Sequence, residues 1–242
     1  MLNHPTLEKL KGLKLFGMVK GLEEQMASSL YKSLSFEERL GLLVDLESTE
    51  RDDRRIQSRL KQATLRQSAC LEDIHYSSKR GLDQSLIRSL ADCNWVREGL
   101  NALITGATGV GKSWLACALG HQACLRGYKT KYYRASRLFE ELELARGDGR
   151  YPKLMRAISR FNLIIIDDWG LSPLKEHERR DMLEILEDRY GNASTIIAGQ
   201  MPVEHWHDVI GNPTFADAIM DRLVHQAYKI ELDGDTMRRK KK

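Results

Sequence analysis

Gly106-Ala107-Thr108-Gly109-Val110-Gly111-Lys112-Ser113 follows the pattern G-x-x-x-x-G-K-[ST], which is suited to holding phosphate. Glycines let the backbone curl so that successive N–H groups point at phosphate oxygens. Lys112 reaches the β- and γ-phosphates, and Ser113 offers its hydroxyl to Mg²⁺. The expected nucleotide-binding set is Gly106, Ala107, Thr108, Gly109, Val110, Gly111, Lys112, Ser113 and Trp114, with ATP and Mg²⁺ as ligands. An acidic pair, Asp167-Asp168, follows at the end of the apolar run Leu163-Ile164-Ile165-Ile166. A hydrophobic strand ending in aspartate about 50 residues after such a loop is the Walker B arrangement. In it, Asp167 accepts a hydrogen bond from a Mg²⁺-bound water or sits close to the ion. Asp168 stands where hydrolytic P-loop proteins place the carboxylate that orients the attacking water; helix or loop capping is its other reading. Gln200 is placed to meet the γ-phosphate or the attacking water, and Arg222 lies on a helix beyond it. Either is also readable as an ordinary surface polar residue.

These residues need a scaffold, and the pattern around them supplies one. Leu100, Ala102, Leu103 and Ile104 read as a buried strand entering the loop. Trp114-Leu115-Ala116-Cys117-Ala118-Leu119 reads as the helix leaving it, whose N-terminal end favours an anion. Gly127 ends that helix, Lys129–Tyr133 has the composition of a second strand, and Ser136 is expected to cap the next helix. The β-branched Leu163–Ile166 run is apolar throughout, which predicts a strand buried on both faces. A helix over Glu176–Tyr190, a strand over Thr195–Ala198, further helices and a last strand around Lys229–Leu232 follow. Strands alternating with helices predict an α/β sandwich around a parallel sheet with right-handed crossovers.

Residues 1–68 read instead as a small helical domain. Ser35-Phe36-Glu37-Glu38 has the capping-box form, and its helix is expected to run past Glu50. Residues 69–99 form a connector with a helical stretch over Leu86–Arg97, residues 100–233 the α/β domain, and residues 234–242 a basic tail. Arg51, Arg55, Arg59 and Arg66 fall at spacings that align them on one helix face. That stripe can track a phosphate backbone, or it is a solvated face laced with Glu47–Arg51 and Glu50–Arg54 pairs.

With 42% hydrophobic and 30% charged residues in 242, the chain has material for a core and a heavily charged surface. Its longest purely apolar run falls far short of the ~20 residues of a membrane span, and no signal-peptide core is visible, so the expected location is cytoplasmic. Cys70, Cys93, Cys117 and Cys124 show no C-x-x-C spacing, and neither disulfide nor zinc is expected. His205-Trp206-His207 reads as surface histidines.

The loop ending Gly-Lys-Ser-Trp-Leu-Ala at Ala116 and Ile-Ile-Asp-Asp-Trp-Gly at Ile165–Gly170 carry a resemblance. So do Asp221-Arg222-Leu223-Val224-His225 and the closing Gly234-Asp235-Thr236-Met237-Arg238. Together they resemble the IstB family, AAA+ ATPases that help insertion-sequence transposases and are related to DnaC-type helicase loaders. The resemblance implies an AAA+ core of strand order 5-1-4-3-2, ATP at a subunit interface, and assembly as a homo-oligomeric ring or spiral on duplex DNA. It assigns Lys112, Ser113 and Asp167 to nucleotide and Mg²⁺, Gln200 to the sensor after the fourth strand, and Arg222 to the arginine finger given to a neighbour. Two departures stand out. Asp168 replaces the usual glutamate, which implies slow hydrolysis, and the C-terminal helical lid is mostly absent, so Arg238 lacks the setting of a second sensor. The implied function is an ATP-dependent, DNA-binding helper in target selection for a transposase. A DnaC-type helicase loader is the nearest alternative; a small-molecule P-loop kinase and a DNA-binding scaffold with a dead ATPase are more distant ones.

Overall fold

The computed structural model describes residues 5–76, 81–225 and 227–237. The basic run from Arg238 onward lies outside them. The chain forms two compact units, Met1–Ser58 and Arg59–Lys242.

The first unit contains α1 (Pro5–Gly12), α2 (Phe16–Ala27), a 3₁₀ turn over Ser29–Ser33, and most of α3 (Phe36–Ala63). The capping box at the start of α3 is formed in both directions. The Glu38 N–H donates to Ser35 Oγ at 3.1 Å, and the Ser35 N–H donates to Glu38 Oε2 at 2.7 Å. Glu47, only 6% exposed, accepts the N–H groups of Gly17 and Met18 at 2.8 and 3.3 Å, donors at the open start of α2. Gly17 is required for that approach, because a Cβ there would lie 2.5 Å from the Glu47 Cα. Arg51 completes the arrangement with Nε 2.6 Å from Glu47 Oε1.

The division between the units falls inside α3, before the boundary expected at residue 68. Thr64 then takes a left-handed φ of 49° and the helix ends. No glycine or proline announces that stop.

In the second unit a short connector leads through α4 (Gln84–Ala91) and α5 (Asn94–Arg97) into the sheet. The single helix expected over Leu86–Arg97 is broken, since Cys93 adopts φ 56° between the two. The sheet elements are β1 (Ala102–Gly106), α6 (Lys112–Leu125), β2 (Thr130–Arg134), α7 (Ala135–Gly147), α8 (Tyr151–Ser159) and β3 (Leu163–Trp169). They continue with α9 (Glu176–Arg189), β4 (Ser194–Gly199), α10 (Trp206–Ile210), α11 (Pro213–Val224) and β5 (Tyr228–Leu232). Ser136 does not cap α7: β2 stays paired with β3 as far as Arg134, so the helix starts directly at Ala135 with no side-chain cap.

The five strands are parallel in the order β2-β3-β4-β1-β5, the expected 5-1-4-3-2 sheet read from its other edge. Side chains alternate between two cores, as the two-residue period of a strand requires. Ala102, Ile104, Leu163, Ile165, Ile196 and Ala198 pack with α6 and the connector. Leu103, Ile164, Ile166 and Ile197 pack with α7, α8, α9 and α11 on the opposite face. Adjacent β1 and β4 therefore send their following helices to opposite faces, and the carboxyl ends of these strands open a crevice where ligands of α/β sheets bind. At the amino end, Arg189 is buried with its guanidinium donating to the carbonyls of Ile158 and Phe161 at 3.2 and 2.8 Å. Burial pushes it down to about 10. Among the described residues no helix is long and apolar enough to cross a membrane.

Candidate active site

The loop between β1 and α6 is shaped by its glycines. Gly106 has φ 139°, and a Cβ there would stand 2.1 Å from the Leu232 carbonyl oxygen. Only glycine lets β1 turn beneath the end of β5. Gly109, at φ 91°, is approached as closely by Thr236, and the Met237 N–H donates to the Gly109 carbonyl at 2.9 Å. The segment after β5 thereby braces the loop. Lys112 is the first residue of α6; its ammonium donates to the carbonyls of Gly106 and Ala107, both at 2.7 Å. Ser113 follows in the same first turn, where the unpaired N–H groups and the positive end of the helix dipole favour an anion. Val110 differs from its neighbours in being 1% exposed, a core residue that anchors the loop.

Thr108, Gly109, Gly111, Lys112, Ser113 and Trp114 line a cavity of about 440 Å³ at the carboxyl end of the sheet. That volume is typical of a site for a small organic ligand. Across from them stand Asp167 and Asp168 at the end of β3, and Gly199 and Gln200 at the end of β4. Gln67, Asp73 and His75 of the connector, with Met237, complete the wall. Gln67, Asp73 and His75 were not foreseen, since they carry no motif, and Met237 was foreseen only as part of the closing run and not as a site residue.

Asp167 is 1% exposed and held on both oxygens. The Tyr132 hydroxyl donates to Oδ2 at 2.6 Å, and the Asp168 N–H donates to Oδ1 at 2.8 Å. Burial, and then the Asp167 carboxylate, push the Tyr132 phenol well above its usual range, so it stays a donor at any physiological pH. Asp168 takes φ 59°, and the β3–β4 register is irregular between Ile166 and Trp169. The irregularity turns consecutive carboxylates toward one cavity, which a regular strand would send to opposite faces. Asp168 Oδ2 receives Arg134 Nε at 2.8 Å and Arg66 Nη1 at 3.5 Å; Arg66 also stands 3.8 Å from Asp167. The Arg66 guanidinium is raised above its ordinary value, first by its hydrogen bond with Tyr132 and further by the two carboxylates. Asp168 does not cap a helix: the next helix, α9, begins only at Glu176.

Arg222 is elsewhere. It lines a second cavity, of about 230 Å³, with Asn101 just before β1 and Ala193 and Thr195 at the start of β4, the amino end of the sheet. Its guanidinium donates to Glu187 Oε1 at 2.9 Å and to the Ala218 carbonyl at 2.8 Å. The structure thus brings together the P-loop, Asp167, Asp168 and Gln200, and separates Arg222 from them.

The expected four-arginine stripe loses Arg66: Arg51, Arg55 and Arg59 lie on α3, which ends at Ala63. Arg51 pairs with Glu47, and Arg55 pairs with Asp52 at 3.2 Å. Arg59 donates to the Cys124 carbonyl at 2.9 Å, satisfying the open C-terminal end of α6. Arg66 lies beyond the end of α3 on the acidic pair. Tyr132 and Arg134 were missed for the same reason that Arg66 was misplaced: their partners lie on β3, and only the β2–β3 register, in which Arg134 faces Asp167, brings them together.

The residues present fit ATP with Mg²⁺. The loop has the tight glycine-dependent turn of a phosphate cradle, since a Cβ at Gly106 or Gly109 would collide with Leu232 or Thr236, a lysine and a serine start the helix, and a buried carboxylate is held by donors on both oxygens. Comparison with known proteins agrees. The model of the IstB-like ATP binding protein family matches residues 8–242. An insertion sequence ATP-binding protein of Sinorhizobium fredii is 52% identical over 239 residues, spanning 99% of this chain and 98% of that protein. The IS1162 ATP-binding protein of Pseudomonas fluorescens is 48% identical over 203 residues, spanning 84% of this chain and 88% of that one. The DnaC helicase loader superposes with a TM-score of 0.57 at 18% identity, over 68% of this chain and 97% of that one. AMPPCP-bound DnaA from Aquifex aeolicus superposes with a TM-score of 0.59 at 21% identity, over 72% of this chain and 53% of that one. At such identities these structures speak for the fold alone. The chain belongs to the IstB-like ATP binding protein family and is an ATPase with the AAA+ fold.

Proposed function

We propose that this ATPase binds duplex DNA as a homo-oligomer and assists the transposase of its insertion sequence in choosing target DNA, with ATP held between neighbouring subunits. The observation that carries the subunit arrangement is the separation of Arg222 from its own nucleotide cavity. A guanidinium at the amino end of the sheet is out of reach of phosphates bound at the carboxyl end, so it can serve only a neighbouring copy, and to do so it must exchange its ion pair with Glu187 for that copy's phosphate. The names of the relatives, ATP-binding proteins of insertion sequences, support the transposition role.

In this reading the P-loop N–H groups and Lys112 would bind the phosphates, while Ser113 and Asp167 would hold Mg²⁺. The bound ion would supply charge neutralisation of the β- and γ-phosphate oxygens. Gln200 and Asp168 orient the attacking water, with Asp168 taking its proton. To do so Asp168 must exchange its ion pair with Arg134 for the water. Arg222 of an adjacent subunit stabilises the charge that develops on the transferred group.

Mixing tests this. Arg222→Ala and Lys112→Ala should each hydrolyse ATP poorly alone. Combined, they should regain activity at interfaces where one subunit gives the finger and the other an intact P-loop. Absence of recovery at every ratio would refute the trans arrangement.

A further inference from the structure

Tyr132 belongs to none of the motifs that mark the site, yet it makes the shortest contact to the acidic pair. We propose that Tyr132 is the positioning residue for the Mg²⁺-side carboxylate, fixing Asp167 so that divalent-cation affinity is built in before nucleotide arrives. The inference rests on the nucleotide and Mg²⁺ reading above.

The argument is one of degrees of freedom. Asp167 is nearly inaccessible, so its carboxylate depends on protein donors in place of water. The Asp168 N–H on Oδ1 comes from the next residue in the chain, so it moves with the strand end and leaves the carboxylate free to shift with it. A second donor on Oδ2 removes that freedom. The Tyr132 hydroxyl is that donor, at 2.6 Å, and it approaches from a different strand. Tyr132 is itself fixed: the residue is only 8% exposed, with its ring in the core beneath α6. With one lone pair of each oxygen committed, the remaining lone pairs face the cavity lined by Ser113 and Lys112. Partners of this kind, which orient a metal-binding carboxylate without touching the metal, typically change metal affinity by about 10- to 100-fold when removed.

Tyr133 is the natural control. It lies on the same strand with its side chain among the core residues of the other sheet face. The test uses the full chain with a non-hydrolysable ATP analogue, and Mn²⁺ as the probe, its free form read by electron paramagnetic resonance. Tyr132→Phe removes one oxygen atom and leaves the ring. It should raise the Mn²⁺ midpoint about 10- to 100-fold, while binding of a fluorescent ATP analogue in EDTA stays within about twofold of wild type. Tyr133→Phe should move neither. An unchanged Mn²⁺ midpoint in Tyr132→Phe overturns the proposal. So does equal loss of metal-free nucleotide binding, which would make the hydroxyl a general structural support. Failure of the wild-type chain to bind the analogue at all would instead sink the nucleotide reading on which the proposal rests.

Discussion

Replacing Asp168 by asparagine separates binding from chemistry, and the structure gives the size of the competing effects. The change removes the negative partner of Arg134 at 2.8 Å and of Arg66 at 3.5 Å, with side-chain exposures of 45% and 43% for the arginines and 24% for the aspartate. Ion pairs this accessible are worth about 0–1 kcal/mol each, so their joint loss costs at most about 2 kcal/mol. The backbone adds little, because asparagine tolerates the left-handed conformation seen at φ 59° as well as aspartate does. Against a typical domain stability of about 5–15 kcal/mol, such a cost leaves the protein folded, with the melting temperature lowered by roughly 2–4 °C per kcal/mol. Loss of a general base costs about 10²–10⁴ in rate. The two effects therefore differ in kind: Asp168→Asn should bind ATP within a fewfold of wild type, melt a few degrees lower, and lose at least a hundredfold in phosphate release. Turnover within threefold of wild type would show that Asp168 is not the group acting on water. A tenfold loss of ATP affinity would place it among the binding residues instead.

Lys112→Ala should abolish binding of a fluorescent ATP analogue, because the ammonium that now bonds the Gly106 and Ala107 carbonyls is the direct charge partner of the phosphates. Burial alone would raise the Glu47 carboxyl, but Arg51 and the N–H groups of Met18 and Gly17 hold it below its ordinary value of 4.5. Since the folded value is the lower one, its stabilisation is complete above pH 4.5 and is lost as pH falls through the folded value. Acid unfolding of the wild type should therefore show a Glu47-dependent loss below pH 4.5 that Glu47→Gln lacks. Arg55 sits in an exposed pair with Asp52, which a phosphate can displace, so Arg55→Ala should flatten the salt dependence of duplex binding by about 0.9 in log K against log salt for each subunit engaged, whereas Arg66→Ala, at a guanidinium held by Asp167 and Asp168, should leave that slope unchanged. Equal flattening by both would return Arg66 to the DNA surface.

What the sequence made legible follows from how local each signal is. The P-loop is contiguous because its chemistry is done by successive backbone N–H groups, so Gly106–Ser113 announces itself. The Leu163–Ile166 strand does so as well, because burial on both faces demands an unbroken apolar run. The order of the strands came from family resemblance; alternation of strands and helices gave only a parallel sheet. Tyr132, Arg134 and Arg66 were illegible as site residues for one shared reason. Each acts on a carboxylate at least 33 residues away, through a β2–β3 register or a helix end that leaves no mark in composition. Arg66 shows the cost of that blindness. Helical periodicity continued through Thr64 puts it in line with Arg59, and a single left-handed residue takes it off the helix and onto the acidic pair. The same step changes what the residue is for, because a guanidinium committed to two carboxylates is a poor partner for a phosphate backbone. A stripe inferred from spacing is thus only as good as the last residue of its helix, and here the chain that follows α3 supplies part of the cavity wall through Gln67, Asp73 and His75 and a cation to the acidic pair through Arg66.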